Sequence, residues 1–212
     1  MHFVFCTYSA DLLSLVKFSY VKRAGKNNAQ INLEEITKGF PGLTPAQGST
    51  ILEACIVTLY RMGHKPGTKL HIRGERTGEI ILSWKKKVTS QIQRAWKDQE
   101  EATEMAAIGI SILLALAFTD YTVVERSIKT TGFDYWLGVQ EAGSSDIFKK
   151  MARLEISGIF NGDDGVLDRR VKLKIDQTKQ SDATRLPAFV FVIEFSKPKC
   201  KFVSRNDRRR TS

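Results

Sequence analysis

The chain has 212 residues, of which 42% are hydrophobic and 26% charged, so it is long enough and apolar enough for one globular domain. Lys and Arg outnumber Asp and Glu by 33 to 23, which gives a formal net charge of +10 and favours polyanionic partners, nucleic acid first. An odd number of cysteines without a CxxC pair argues against a disulfide framework and predicts a reducing, cytoplasmic location. The three are Cys6, Cys55 and Cys200.

Residues 1–88 are expected to form an N-terminal extension that precedes the main domain. The chain opens on an apolar stretch without the basic start and clean apolar run of a signal peptide. Residues 21–30 are polar and basic, which is typical of a loop. Asn32, with Glu35 three positions later, predicts the start of a short helix.

The rest of the extension predicts a helix and a hairpin. Residues 39–49 are rich in Gly and Pro and should be irregular, whereas 49–62 have helical composition and length. Residues 69–73 and 79–84 are short strand-like runs joined by a polar, glycine-bounded turn. This unit could serve packing alone, or it could contact a substrate or partner.

A long helical segment follows, charged in its first half and apolar in its second. Lys85–Lys87 could still belong to a linker, and a break inside the segment is possible. The apolar run over 105–118 is shorter than the roughly 20 residues that cross a bilayer. It therefore predicts a buried central helix, and no membrane association is expected.

The main domain is expected over 89–196, followed by a basic and mobile tail over 197–212. Apolar runs predict three strands, then a helix whose apolar residues recur at helical spacing, then a last buried strand. With the preceding helix, the order is α-β-β-β-α-β, an α/β (α+β) fold with a central mixed sheet. The predicted elements are strands 122–126, 133–139 and 152–159, helix 166–180 and strand 188–195.

Each of the three successive strands carries one carboxylate among apolar neighbours: Glu125, Asp134 and Glu155. Asp is uncommon in strand interiors, and carboxylates are rarely buried without a partner. Carboxylates at neighbouring strand ends would form a hard-oxygen site suited to Mg²⁺ or Mn²⁺.

This order and these residues resemble the PD-(D/E)XK nuclease family, which has the restriction-endonuclease-like fold. The segment Thr131-Gly132-Phe133-Asp134 is similar to the entry of that family's second core strand, and Ala152-Arg153-Leu154-Glu155-Ile156-Ser157 is similar to the next strand. The resemblance covers roughly residues 90–195.

The chain departs from the family at Ser157, where the resemblance implies a lysine that stabilises charge in the transition state. Another lysine could replace it. The candidates are Lys150, Lys172, Lys174 and Lys179, of which Lys172 and Lys174 are assigned to catalysis beside Asp134 and Glu155.

The resemblance implies a metal-dependent nuclease that hydrolyses phosphodiester bonds, with DNA as the expected substrate and a defence or restriction role. The implied metal ligands are Glu125, Asp134 and Glu155, helped by the Ile156 carbonyl, with Glu101 or Glu104 as a further carboxylate. Basic side chains would hold the backbone phosphates. They are Arg126, Lys129, Arg153, Arg169 and Arg170.

Other interpretations stay open. Glu125 could pair with a base across a sheet edge, Asp134 could stabilise a turn, and Glu155 could lie on a solvated face, as could Glu194. The chain could equally be an inactive nuclease-like domain that binds nucleic acid, or a subunit docking to a helicase or ATPase. A homodimer and a general protein-interaction module are further alternatives.

Overall fold

The structure, a computed structural model, describes residues 21–24, 28–139 and 148–206. The strands are β1 (Val21–Ala24), β2 (Asn28–Asn32), β3 (Thr68–Gly74), β4 (Gly78–Ser83), β5 (Thr122–Arg126), β6 (Tyr135–Gly138), β7 (Ala152–Ile159), β8 (Ala188–Glu194) and β9 (Lys199–Arg205). The α-helices are α1 (Pro45–Arg61), α2 (Ser90–Ala95), α3 (Gln99–Phe118) and α4 (Asp164–Thr178), and 3₁₀ helices cover Leu33–Lys38 and Lys179–Thr184. Over these residues the fold is α+β, with one mixed sheet in the order β1-β2-β4-β3-β9-β8-β7-β6-β5.

Helix α1 begins earlier than the composition predicted. The Gly- and Pro-rich segment 39–49 was expected to be irregular, yet the helix starts at Pro45. Thr44 accepts a hydrogen bond from the Gln47 amide, the Gln47 side chain accepts one from the Thr44 amide, and proline suits the first helical position. Local capping therefore outweighs the glycine content of the segment.

The prediction of a loop over 21–30 is wrong for residues 21–24 and 28–30, which form β1 and much of β2, while 25–27 lie outside the described residues. Strand β1 pairs antiparallel with β2, which in turn pairs parallel with β4. Strand β1 is the edge strand of the sheet and β2 is its neighbour, and strands in this position do not require apolar residues on both faces, so their polar sequence is typical of a loop. The predicted hairpin, by contrast, is confirmed as β3 and β4.

Helices α1 and α3 pack closely together over one face of the sheet. At Gly109 of α3, a Cβ atom would lie 2.5 Å from Ile51 Cγ2 and 2.7 Å from Cys55 Sγ, so a larger residue would force these side chains to move. By length and hydropathy α3 could span a membrane, but 67% of its most apolar stretch is buried inside the protein. The predicted central helix is confirmed, and a break separates it from α2.

From α3 to β8 the elements follow the predicted order. Strands β5, β6 and β7 form an antiparallel meander, and β7 then pairs parallel with β8 through the α4 crossover. All eight residues of β7 are buried. Helix α3 contacts this strand on the core side and α4 contacts it on the other, which places β7 between two helical layers.

The prediction of a mobile tail from residue 197 is wrong for β9, which lies between β8 and β3 and joins the N-terminal hairpin to the main domain in one sheet. Its side chains alternate: Cys200 and Phe202 enter the core, while Lys201 pairs with Asp168 at 2.6 Å. Lysines at every second position are typical of a basic tail, but the same spacing also fits a strand with one polar face. The Arg208–Arg210 cluster and Cys6 lie outside the described residues.

Candidate active site

Strand β7 divides its side chains between the apolar core and helix α4. Leu154 and Ile156 belong to the core cluster under α3. Glu155 and Ser157 point the other way and contact α4. Alternation in one fully buried strand thus directs polar groups into the layer between the sheet and α4.

Asp134 and Glu155 lie side by side on neighbouring strands. The register of β6 with β7 pairs Tyr135 with Leu154, which places Asp134 next to Glu155. Asp134 also accepts a hydrogen bond from the Ile156 amide through Oδ2 at 2.8 Å, and its own amide donates to the Leu154 carbonyl at 2.9 Å. The Asp134 carboxylate is therefore fixed by the backbone of the strand that carries Glu155.

The turn before Asp134 rests directly on helix α4. Gly132 has φ +81°, and a Cβ atom at that position would lie 2.3 Å from the Gln177 carbonyl oxygen. Any other side chain would be strained and would push the turn off the helix. This glycine thereby sets the distance between Asp134 and the last turns of α4.

Helix α4 supplies two cations to β7. Lys174 Nζ lies 2.6 Å from Glu155 Oε1, and Arg170 Nη1 donates to Ser157 Oγ at 2.8 Å. Residues four apart on a helix are separated by about 6 Å, close to the spacing of residues two apart on a strand. The two pairs therefore match in register, with Lys174 on the carboxylate and Arg170 on the serine.

The carboxylate pair of Asp134 and Glu155 has too little nearby positive charge to keep both groups ionised. Glu155 is fully buried, and its Oε2 atom has no hydrogen-bond partner within the described part of the chain. Burial, together with the neighbouring Asp134 charge, raises the pKa of Glu155 to about 8 despite the opposing effect of Lys174. Burial also raises the pKa of Asp134. At neutral pH the Asp134–Glu155 pair therefore retains a proton. A metal ion bound beside the Lys174 ammonium would displace that proton.

Glu125 does not join this pair. It forms an ion pair with Lys150 at 2.7 Å, and the same ammonium lies 4.8 Å from the centre of the Trp136 ring. Among the described residues there is no group of three or more His, Cys, Asp or Glu side chains that could share a metal ion. The pairing of Glu125 with a base near the sheet edge is therefore the interpretation that the geometry favours.

Of the lysines considered as replacements, Lys174 is the one that contacts the carboxylate pair. Lys172 is exposed on the same helix. Lys179 pairs with Asp176 at 2.7 Å, and Lys150 is held by Glu125. The assignment of Lys172 to catalysis is therefore withdrawn, because it lies on the solvent side of α4.

The predicted phosphate-binding residues separate into buried and accessible groups. Arg153 is completely buried, and its guanidinium donates to the Leu186 and Thr178 carbonyls and to Ser181 Oγ. It has no surface for a phosphate, so its assignment to nucleic-acid binding is corrected to a structural one. Exposed positions are found for Arg126, Lys129 and Arg169.

Arg170 was predicted to bind phosphate, and its hydrogen bond to Ser157 Oγ was not predicted. The sequence does carry a signal for the α4 cations: Leu167 and Val171 are the buried apolar residues of α4, and Arg170 and Lys174 each follow one of them by three positions. Cations beside an apolar helical stripe lie at the edge of the buried face, where they can reach the sheet.

Comparison of the chain with models of known families, with curated proteins and with solved structures finds no significant match.

Proposed function

We propose that the protein is a metal-dependent nuclease that hydrolyses phosphodiester bonds, with DNA as its substrate and the restriction-endonuclease-like architecture as its core. The observation that carries the proposal is the grouping of Asp134, Glu155 and Lys174 between β7 and α4. Support also comes from the α-β-β-β-α-β order around them.

Lys174 can replace the lysine that the family has at the position of Ser157. The family lysine is expected two residues after the glutamate on the same strand, whereas here the ammonium comes from α4 and reaches Glu155 Oε1 at 2.6 Å. An ammonium in a half-buried setting stabilises developing negative charge more strongly than it would in water. The required cation is thus available from a different element.

The donor set fits Mg²⁺ or Mn²⁺. Mg²⁺ is commonly held by one or two carboxylates, keeps several waters and completes its shell with substrate phosphate, so Asp134 and Glu155 suffice. The Glu155 oxygen without a partner and the proton retained by the pair are both features that a divalent cation would resolve. When bound, the ion would stabilise charge on the phosphate oxygens and lower the pKa of water.

The residues of the chain take distinct roles in this proposal. Asp134 and Glu155 hold the cation, and the Ile156 amide fixes the Asp134 carboxylate. Lys174 orients the attacking water and stabilises negative charge on the phosphate. Exposed Arg126, Lys129 and Arg169 hold the backbone without reading sequence.

The test is a cleavage assay on supercoiled plasmid and on single-stranded DNA, with Mg²⁺, with Mn²⁺ and with EDTA. We expect cleavage that depends on the metal and falls by about 10²- to 10³-fold in Asp134→Asn and in Lys174→Met. Lys172→Met is the matched control, since it removes an exposed lysine from the same helix and should retain the wild-type rate.

A competing function remains if the protein binds DNA but cleaves neither substrate with either metal. That result would favour a catalytically inactive nucleic-acid-binding or docking subunit of a helicase or ATPase. Cleavage that persists in both Asp134→Asn and Lys174→Met would refute the proposed site.

A further inference from the structure

A cleft of about 380 Å³ lies where β7 ends, between the first turns of α3 and α4. This volume is within the range of sites that bind small molecules. Its polar and aromatic lining comes from both helices and from the residues that follow β7. The lining includes Gln99, Glu100, Glu104, Phe160, Asn161 and Arg170.

Arg170 connects this cleft to the carboxylate pair. Its side chain lines the cleft and also donates to Ser157 Oγ at 2.8 Å and to the Gly158 carbonyl at 3.4 Å. Ser157 follows Glu155 by two positions and shares its face of β7, about 6.6 Å away. A phosphate at the carboxylate pair and a group in the cleft would therefore lie on either side of one guanidinium.

The charges in the cleft are separated in a way that suits a nucleotide. Arg170 is the cation on the α4 side, whereas Glu100 and Glu104 provide two carboxylates one turn apart on α3. Neither carboxylate forms an ion pair with another residue in the described part of the chain. Ionised carboxylates only accept hydrogen bonds, so they favour a neutral ligand edge rich in N–H donors.

We propose that this cleft binds the nucleotide next to the phosphate that is cut, with Arg170 on its phosphate, Phe160 against its base, and Glu100 and Glu104 on the donor edge of the base. The assignment of this nucleotide's position rests on the proposed nuclease function. Guanine suits the carboxylates best, because its imino and amino N–H groups are adjacent. Thymine suits them least, because carbonyl acceptors flank its single N–H. Stacking on an aromatic ring accepts every base, so the carboxylates carry the preference.

The experiment is calorimetric titration of the wild-type protein with dGMP, deoxyguanosine and dTMP in EDTA. We expect dGMP to bind about fivefold or more tightly than dTMP, which is the contribution of one hydrogen bond. We expect dGMP also to bind more tightly than deoxyguanosine, because only the nucleotide engages Arg170. In Arg170→Gln this second difference should disappear.

The carboxylates are tested by Glu104→Gln, with Glu101→Gln as the matched control. Both side chains are exposed on the first turns of α3, but only Glu104 lines the cleft. Glu104→Gln should reduce the preference for dGMP over dTMP, because an amide offers a donor as well as an acceptor. Glu101→Gln should keep it.

No binding of any nucleotide, or equal binding of dGMP and dTMP, would overturn the cleft assignment. Because the titration contains no divalent cation, its outcome is independent of cleavage. Selective dGMP binding by a protein that never cuts DNA would retain the cleft and reject the nuclease function. Metal-dependent cleavage without nucleotide binding would do the reverse.

Discussion

Strands β7 and β8 each carry one fully buried glutamate, and the protein surrounds the two carboxylates very differently. Glu194 on β8 accepts hydrogen bonds from the amides of Ser196 at 2.7 Å, Lys197 at 3.0 Å and Gly162 at 3.3 Å, and from the Ser196 hydroxyl. Glu155 on β7 receives one ammonium on Oε1, nothing on Oε2, and a second carboxylate beside it.

The difference separates a carboxylate that is fully hydrogen-bonded to backbone amides from one that shares a proton with a second carboxylate. At Glu194 the charge is compensated by amides of the turns that it holds together, so nothing is left for chemistry. At Glu155 one oxygen has no hydrogen-bond partner among the described residues, and a proton retained with Asp134 takes the place of compensation by amide donors. Sequence treats the two residues alike, since both are single glutamates in apolar strands.

The largest expected effect is on catalysis, and it should be confined to one of the two glutamates. Glu155→Gln should lower the rate of metal-dependent DNA cleavage by about 10²- to 10³-fold, because it removes a charged ligand from the proposed cation site. Glu194→Gln should cleave at close to the wild-type rate per folded molecule. The measurement is initial rates on plasmid, with circular dichroism to establish the folded fraction. If folded Glu194→Gln cleaved DNA as slowly as Glu155→Gln, the two glutamates would not differ in function.

The second effect is on folding stability, where replacing Glu194 should be more harmful than replacing Glu155. Glu194→Ala removes the acceptor of three backbone amides and should lower the free energy of unfolding by about 3 kcal/mol, since buried donors are left unpaired. Glu155→Gln should raise it by about 3 kcal/mol at pH 7 in the absence of metal, since the unfolded wild-type protein gains free energy by ionising a glutamate that the folded protein keeps protonated. Urea unfolding at pH 7 measures both. The comparison fails if Glu155→Gln is the more destabilised variant.

The sequence predicts more of the fold than of the geometry of the candidate site. Continuous apolar runs predicted α3, β7 and β8, and two short strand-like runs around a polar turn predicted the β3-β4 hairpin, because burial and turn chemistry dictate those patterns. Polar strands were missed: β1 and β2 looked like a loop, and the lysines of β9 looked like a tail. A strand with one solvated face carries fewer hydrophobic residues, so its sequence resembles that of a polar loop or tail.

The site was predictable in its residues but not in its geometry. Asp134, Glu155 and Lys174 were all candidates, yet four lysines were open and only the packing of α4 on β7 distinguishes them. Glu125 and Arg153 were assigned wrongly because their partners are remote in sequence: Lys150 for the first, and the Thr178–Leu186 segment for the second. Pairing of this kind depends on tertiary contacts that no local pattern encodes.

The third effect is the gain in folding stability that a bound metal ion should give in the absence of DNA. At a concentration of Mg²⁺ or Mn²⁺ about 100 times its dissociation constant, the wild-type protein should gain about 2.7 kcal/mol of stability. Glu155→Gln and Asp134→Asn should gain much less, because each removes one charged oxygen ligand. Glu194→Gln, whose carboxylate faces backbone amides, should gain as much as wild type. Thermal unfolding with and without metal gives the result, and equal gains in all four proteins would indicate that the ions bind elsewhere.

The smallest effect is a pH dependence in metal-free protein. The pKa of Glu155 in the folded protein, about 8, lies above the ordinary value of 4.5, so the folded state holds a proton that the unfolded state has already lost at neutral pH. Stability therefore falls as pH rises toward the folded pKa and levels off above it. Between pH 7 and pH 9 the loss should be about 1.4 kcal/mol, the free energy of one pKa unit.

The comparison with Glu155→Gln isolates this contribution, since every other titrating group is common to the two proteins. The difference in unfolding free energy between wild type and variant should shift by that amount over the same pH range, in favour of the variant at pH 9. Saturating Mg²⁺ should abolish the shift, because a bound cation replaces the proton. A difference that stays constant with pH would show that Glu155 is already ionised at neutral pH and compensated as fully as Glu194.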